Sequence, residues 1–146
     1  MEINETDYME KRVQDQINWF NRKSRCNKRW FYGLKVSEII LALFIPFLSA
    51  YITDGCNVLK IAVGLIGILV AAVTGLITLF KLQENWIQYR TMAEMITQEQ
   101  YLYLAQAGAY KDPERFRYFV ERIESMLTKE NSQWASYVKT TEEKGK

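Results

Sequence analysis

Ile61-Ala62-Val63-Gly64-Leu65-Ile66-Gly67-Ile68-Leu69-Val70-Ala71-Ala72-Val73-Thr74-Gly75-Leu76-Ile77-Thr78-Leu79-Phe80 is a run of twenty residues without a charge. As a helix rising 1.5 Å per residue it would cross the roughly 30 Å hydrocarbon layer of a bilayer, so this stretch predicts a transmembrane span at 61–80. Upstream, Ile39 to Thr53 supplies fifteen more uncharged residues. Extended back to Val36, with Glu38 tolerated near the lipid surface, it predicts a first span at 36–53. Between the two lies Asp54-Gly55-Cys56-Asn57-Val58-Leu59-Lys60. Its Asp-Gly-x-Asn chemistry favours a tight reversal, so the spans should form an antiparallel hairpin with a short outer loop at 54–60. The competing reading is a buried hairpin in a soluble α-domain. It would require two other helices to cover both apolar helices on every face.

The rest of the 146-residue chain is different. Its mean hydropathy of −0.20 averages this apolar centre with two highly charged flanks. The chain has no histidine, which excludes imidazole-based nucleophile systems, a neutral-pH proton shuttle and the commonest zinc ligand. Two cysteines, Cys26 and Cys56, are too few for a four-ligand metal site or a disulfide framework. No spacing of carboxylates or tyrosines suggests a catalytic site, and no cofactor is expected. A net charge of +2 does not point to nucleic acid. The first 35 residues are polar and charged, so a cleavable leader is not expected.

Orientation follows from the basic residues. Arg22, Lys23, Arg25, Lys28, Arg29 and Lys35 fall between Gln16 and Ser37 without an acid, and Lys81 and Arg90 follow the second span. Both termini should therefore be cytoplasmic, in the inner (plasma) membrane. Trp30, Phe31, Tyr32, Tyr51, Trp86 and Tyr89 sit where rings favour the interface, with Trp86 and Tyr89 the better candidates for packing between helices. The six cations could also attract anionic lipid or an anionic ligand such as a nucleotide, although setting the topology explains them equally well.

Three features of the spans bear on function. Pro46 in mid-span removes a helical hydrogen bond and predicts a kink, either a pivot or a static bend. Gly67, Ala71 and Gly75, with Gly64 and Thr78 nearby, form a small-residue stripe that lets another helix approach closely. The first span is the expected partner, with subunit contacts on the remaining faces. Glu38 is the carboxylate inside a span. One turn from Lys35 and at the depth expected for Lys81, it should form a salt bridge at the inner surface; the alternative is a ring of Glu38 side chains at the inner mouth of an oligomeric, cation-favouring pore.

In the flanks, Tyr8, Val13, Ile17, Phe20, Ser24, Asn27 and Phe31 recur at helical spacing and predict a cytosolic helix at 5–35 that runs into the first span. Leu82, Trp86, Tyr89, Ala93, Ile96 and Leu102/Tyr103 predict a stalk at 81–106 prolonging the second. After a break at 107–111, Asp112 as N-cap and Pro113 as first helical residue predict a last helix at 112–139. Its apolar seam is Phe116, Val120, Ile123, Leu127, Trp134 and Val138. The tail, 140–146, should fray. The expected fold is an all-α membrane protein, one domain made of a two-span hairpin with long cytosolic helical extensions forming a bundle.

The segments Arg12-Val13-x-Asp15-Gln16-Ile17-x-Trp19-Phe20-x-Arg22-Lys23-Ser24-x-x-Asn27-Lys28, Glu38-Ile39-Ile40 with Ile45-Pro46, and Glu84-Asn85-Trp86-x-x-Tyr89-Arg90-x-x-Ala93-Glu94 with Glu99 and Tyr101-Leu102-Tyr103 resemble the SLATT family across roughly residues 8–138. SLATT domains are two-transmembrane domains proposed to oligomerise as pores or permeabilising effectors in bacterial conflict systems, often beside nucleotide-synthesising or nucleotide-sensing partners. The resemblance implies a homo-oligomeric, pore-forming antiviral effector that responds to a nucleotide signal or a sensor protein. It makes Trp86, Tyr89, Arg90, Glu94 and Glu99 motif positions. Arg90 and Glu94 share a helical face, and Arg90 is placed to meet Asp15 or another acid of the first stalk, so locking the stalks together is their expected job. The alternative function is a membrane-anchored helical scaffold that recruits a soluble partner and does not conduct.

Overall fold

The computed structural model describes residues 4–52 and 57–143, with side chains as far as 129. Every regular element among them is helical: α1 (Glu5–Asp7), a π-helical segment (Tyr8–Gln14), α2 (Asp15–Ser49), α3 (Asn57–Leu79), α4 (Leu82–Leu104), a 3-10 turn (Gly108–Lys111) and α5 (Arg115–Glu143). Two of the helical stretches are long and apolar enough to cross a membrane, and no residue of their apolar windows is fully buried within the chain. The Asp54-Gly55 reversal and Cys56 lie outside the described residues.

The chain divides into two compact units, Trp19–Thr91 and the combination of Met1–Asn18 with Met92–Lys146. The first is an antiparallel helix pair. Its register is fixed by three contacts: Ser24 Oγ donates to the Trp86 carbonyl at 2.9 Å, Arg90 donates to Asn21 Oδ1 at 3.2 Å, and Thr74 Oγ1 donates to Glu38 Oε1 at 3.0 Å. The residue numbers in each pair sum to nearly the same value, as an antiparallel pair requires.

The less exposed positions of the π-helical segment's end and of α2 extend the flank pattern through the apolar segment. Val13, Ile17, Phe20, Ser24, Asn27, Phe31, Leu34, Glu38, Leu41, Ile45 and Leu48 advance strictly by fours and threes. That is a heptad seam, which keeps one stripe of a long helix facing a partner. On α3 the matching stripe is Leu59, Val63, Ile66, Val70, Val73 and Ile77.

The stalk was expected to prolong the second apolar helix without interruption, but the helix breaks between α3 and α4. Lys81 adopts a left-handed φ of 46°. Asn85 Nδ2 donates to the Phe80 carbonyl at 3.0 Å, satisfying an acceptor freed by the break. The break resets the seam: Ile77 to Leu82 is five residues, after which Leu82, Trp86, Tyr89 and Ala93 resume by fours and threes.

The second unit packs around aromatic rings. Tyr8, Val13 and Ile17 from the N-terminal segment, Ala93, Ile96 and Tyr103 from α4, Tyr110 from the turn, and Phe119, Ile123 and Leu127 from α5 are buried. Tyr103 and Phe119 stack with centroids 4.5 Å apart, and Tyr110 meets Tyr103 edge-on at 5.5 Å. The π segment explains an irregular step in the sequence: Tyr8 and Val13 are five apart, and i to i+5 bonding brings that interval to one face.

Three expectations for the C-terminal half are corrected. Asp112 is not the N-cap of the last helix. It follows the 3-10 turn in extended conformation, and the Tyr118 amide bonds the Glu114 carbonyl at 3.3 Å, so the helix opens two residues later. Its core position is Phe119, fully buried, while Phe116 and Val120 are half-buried. The helix runs on to Glu143, through residues expected to fray; Trp134 and Val138 lie beyond the described side chains.

Candidate functional site

Apolar side chains cover the outside of the α2–α3 hairpin. Leu43 is 66% exposed, Ile68 67% and Leu79 73%, and Ile39, Phe47, Leu65 and Phe80 are similarly open. A water-soluble protein would have to leave all of this apolar area in water, far more than a typical surface patch.

Within that apolar surface sits one charged cluster. Lys35 Nζ lies 3.0 Å from Glu38 Oε2, and Thr74 Oγ1 lies 3.0 Å from Glu38 Oε1. The same threonine oxygen is 2.9 Å from the Val70 carbonyl. A hydroxyl has one proton, and the carboxylate is the stronger acceptor, so the bond to Glu38 takes it. Glu38 occupies a seam position, its side chain only 15% exposed, with each oxygen bonded inside the chain. The expected bridge to Lys35 is present. The expected depth is corrected: Glu38 is level with Thr74, six residues inside Phe80 or about 9 Å along the helix, whereas Lys81 lies beyond Phe80 and reaches Glu84 at 3.8 Å.

The small-residue stripe also lies elsewhere than expected. Gly64, Ala71 and Gly75 are exposed, on a face rotated roughly a third of a turn from the seam. A Cβ added at Gly64, Gly67 or Gly75 would meet nothing within 4 Å. The first apolar helix is therefore not the close partner of this stripe, and the face is open. Pro46 lies within α2, which continues to Ser49 with the Ala50 amide bonding the Pro46 carbonyl at 3.2 Å.

Of the motif residues, Trp86, Tyr89 and Arg90 belong to the helix-pair unit. Tyr89 is buried and its ring meets those of Trp19 and Phe20 at 5.8 and 6.2 Å. Trp86 gives its carbonyl to Ser24 and carries Lys28 Nζ over its ring at 5.3 Å, while its indole nitrogen is buried without a hydrogen-bond partner. Arg90 bonds Asn21.

Glu94 and Glu99 belong to the other unit. Glu94 is an exposed wall of a shallow groove with Thr97, Gln98, Tyr101, Leu102 and Ala105. Glu99 is buried and accepts from the Tyr110 hydroxyl and from Arg122 Nε at 2.8 Å. A parallel cluster joins Tyr8 and Arg12 to Glu124, with Tyr8 Oη at 3.0 Å and Arg12 reaching both carboxylate oxygens at 3.0 and 2.9 Å. The Arg12 guanidinium holds Glu124 below the usual carboxylate range, against the opposing effect of burial. Burial, then the adjoining carboxylates, push the phenols upward: Tyr8 and Tyr110 rise, and Tyr103, which donates to Glu5, is pushed up to about 12. These phenols stay protonated as donors. Sequence spacing named Tyr8 and Tyr103 as core and Glu99 through the motif, but gave no signal for Tyr110, which arrives from a turn.

Among the described residues no group of three or more acidic or cysteine side chains could hold a metal ion. Comparison with known proteins yields one relationship. No curated protein and no solved structure matches the chain. A family model described as "Protein of unknown function (DUF4231)" matches residues 15–117, which takes in α2, α3, α4 and the first residues of α5. Since that stretch includes the hairpin, its polar cluster and the stalk motif and exceeds half of the chain, this protein belongs to the DUF4231 family.

Proposed function

We propose that this chain is an integral membrane protein of the SLATT type. In this reading it crosses the inner membrane twice with both termini in the cytoplasm, self-associates through the outer face of its second span, and permeabilises the bilayer as a pore-forming effector in bacterial antiviral defence. The observation that carries the reading is the combination of an apolar hairpin exposed on all its outer faces with an unfilled small-residue stripe, Gly64-Gly67-Ala71-Gly75, on one of them. Lipid explains the first, and a second copy of the chain explains the second, because small residues let helix backbones approach. Glu38 is already bonded within the protomer by Lys35 and Thr74, which favours its role as an internal lock; a pore-mouth role would require those bonds to open. The trigger would be a nucleotide-signalling or sensor partner.

The second reading is a membrane-anchored scaffold. It draws support from the outer face of α4, where Tyr101 is 69% and Leu104 60% exposed, next to the groove bordered by Glu94 and Gln98. Induced expression with a potential-sensitive dye, together with leakage from vesicles holding the purified chain, tests the first reading. Loss of membrane potential and dye release support it; a correctly inserted protein that never conducts under any trigger contradicts it. Transplanting residues 1–35 and 81–146 onto an unrelated two-span anchor tests the second, since a scaffold keeps its function there and a pore loses it.

A further inference from the structure

Three arginines of α2, Arg22, Arg25 and Arg29, recur at intervals of three and four and so share one face. All are exposed, and among the described residues none of the three makes an ion pair. Their neighbours are already engaged: Lys23 lies over the Trp19 ring at 5.6 Å, and Lys28 over the Trp86 and Tyr32 rings at 5.3 and 5.9 Å. The nearest acids in sequence are Asp15 and Glu38, and Glu38 is held by Lys35 and Thr74. Three like charges on adjacent turns repel one another unless an anion joins them.

The helix register places this face. Phe80, the end of the uncharged run, is level with residues 30–32 of α2, so Arg29 lies just past the apolar layer. Arg25 and Arg22 follow about 6 and 10 Å further along the helix. The headgroup layer adds roughly 5–8 Å to each side of the hydrocarbon core, so Arg29 stands within it, Arg25 at its outer edge, and Arg22 reaches back to it through its long side chain. Trp30 and Tyr32, 62% and 51% exposed, stand at its inner edge, as interfacial rings do. Setting membrane orientation would need only positive charge near the span. It would not need guanidinium groups gathered unpaired on one face, a geometry suited to bidentate contact with phosphate oxygens.

We propose that Arg22, Arg25 and Arg29 form a binding face for the phosphate headgroups of anionic phospholipid in the leaflet on the basic side of the hairpin. The inference rests on the membrane reading above. It is tested with the full chain in phosphatidylcholine vesicles containing trace spin-labelled phosphatidylglycerol or spin-labelled phosphatidylcholine. The motionally restricted fraction should favour the anionic lipid by about fivefold at low salt. The preference should fall to near parity in Arg22→Gln/Arg25→Gln/Arg29→Gln and be only partly retained in the corresponding triple lysine variant, which keeps the charge and loses the bidentate fork. Equal preference in the wild type and the glutamine variant overturns the proposal. So does loss of the preference on adding millimolar inorganic phosphate, which would mark a site for soluble anions. An alkaline carbonate wash separates the two levels: a chain stripped from the vesicles overturns the membrane reading and this one with it, whereas a chain that is retained without lipid preference overturns this one alone.

Discussion

The hydroxyl of Thr74 on α3 reaches the carboxylate of Glu38 on α2 at 3.0 Å, tying the two apolar helices together at a seam position some two turns inside the end of the uncharged run. Lys35 takes the other oxygen. An interhelical hydrogen bond in lipid contributes about 1 kcal/mol. Thr74→Val should therefore lower stability by about that amount in a detergent unfolding titration, while Thr74→Ser, which keeps the donor, should stay near wild type. Equal losses for valine and serine would show that the threonine contributes by packing alone.

The open stripe separates folding from association. Because Gly64 and Gly75 are exposed and a Cβ at either meets nothing within 4 Å, Gly64→Leu and Gly75→Leu should leave the protomer's helix content and thermal stability near wild type. The same substitutions should weaken self-association, read as a shift toward smaller species on sizing in detergent, and should abolish any toxicity of expression.

Gln106 has a φ of 51°, in the left-handed region that costs a side-chain-bearing residue about 1 kcal/mol. The Ala107 amide bonds the Leu102 carbonyl at 3.0 Å and the Gln106 amide bonds the Tyr103 carbonyl at 3.1 Å, the paired bonds of a glycine-type helix end. Gln106→Gly should stabilise the protein by up to about 1 kcal/mol, and Gln106→Val should destabilise it. Thermal melts of the two variants should move in opposite directions.

The Tyr8–Arg12–Glu124 cluster sets a pH dependence. Glu124 is depressed in the folded state, first by its hydrogen bond to Arg12, so its contribution is present above the ordinary glutamate value of about 4.3 and is lost as the pH falls through the lower folded value. The raised phenols work at the other end. Tyr8, Tyr103 and Tyr110 contribute fully below pH about 10, and that contribution declines as the pH rises toward their folded values. Stability should be flat between these limits. Glu124→Gln should lower the plateau and reduce the acid-side slope, measured by denaturant titration across pH.

Much of this architecture could be read from spacing. The four-and-three pattern from Val13 to Phe31 named the buried face of the N-terminal helix, and carrying it on through Leu34 reaches Glu38 and the apolar seam. Lys81 could not be read this way, because a left-handed break in a continuous run of helix formers leaves only a phase slip, from Ile77 to Leu82. The direction of the glycine stripe was equally hidden: small residues show that a helix could approach, but not which one. Tyr110 and Phe119 became core through tertiary packing of a turn, which helical periodicity does not register. The DUF4231 match covers the hairpin and stalk but attaches no activity to them.

The two cysteines test the central claim that residues 36–80 cross a bilayer twice. Cys26 is exposed on the basic flank, and Cys56 lies in the sequence between the two apolar helices. With a membrane-impermeant thiol reagent on intact cells, the account predicts labelling of Cys56 in a Cys26→Ser variant and none of Cys26 in a Cys56→Ser variant until the membrane is opened. Protection of both cysteines until lysis, with the chain recovered in the soluble fraction, would contradict it.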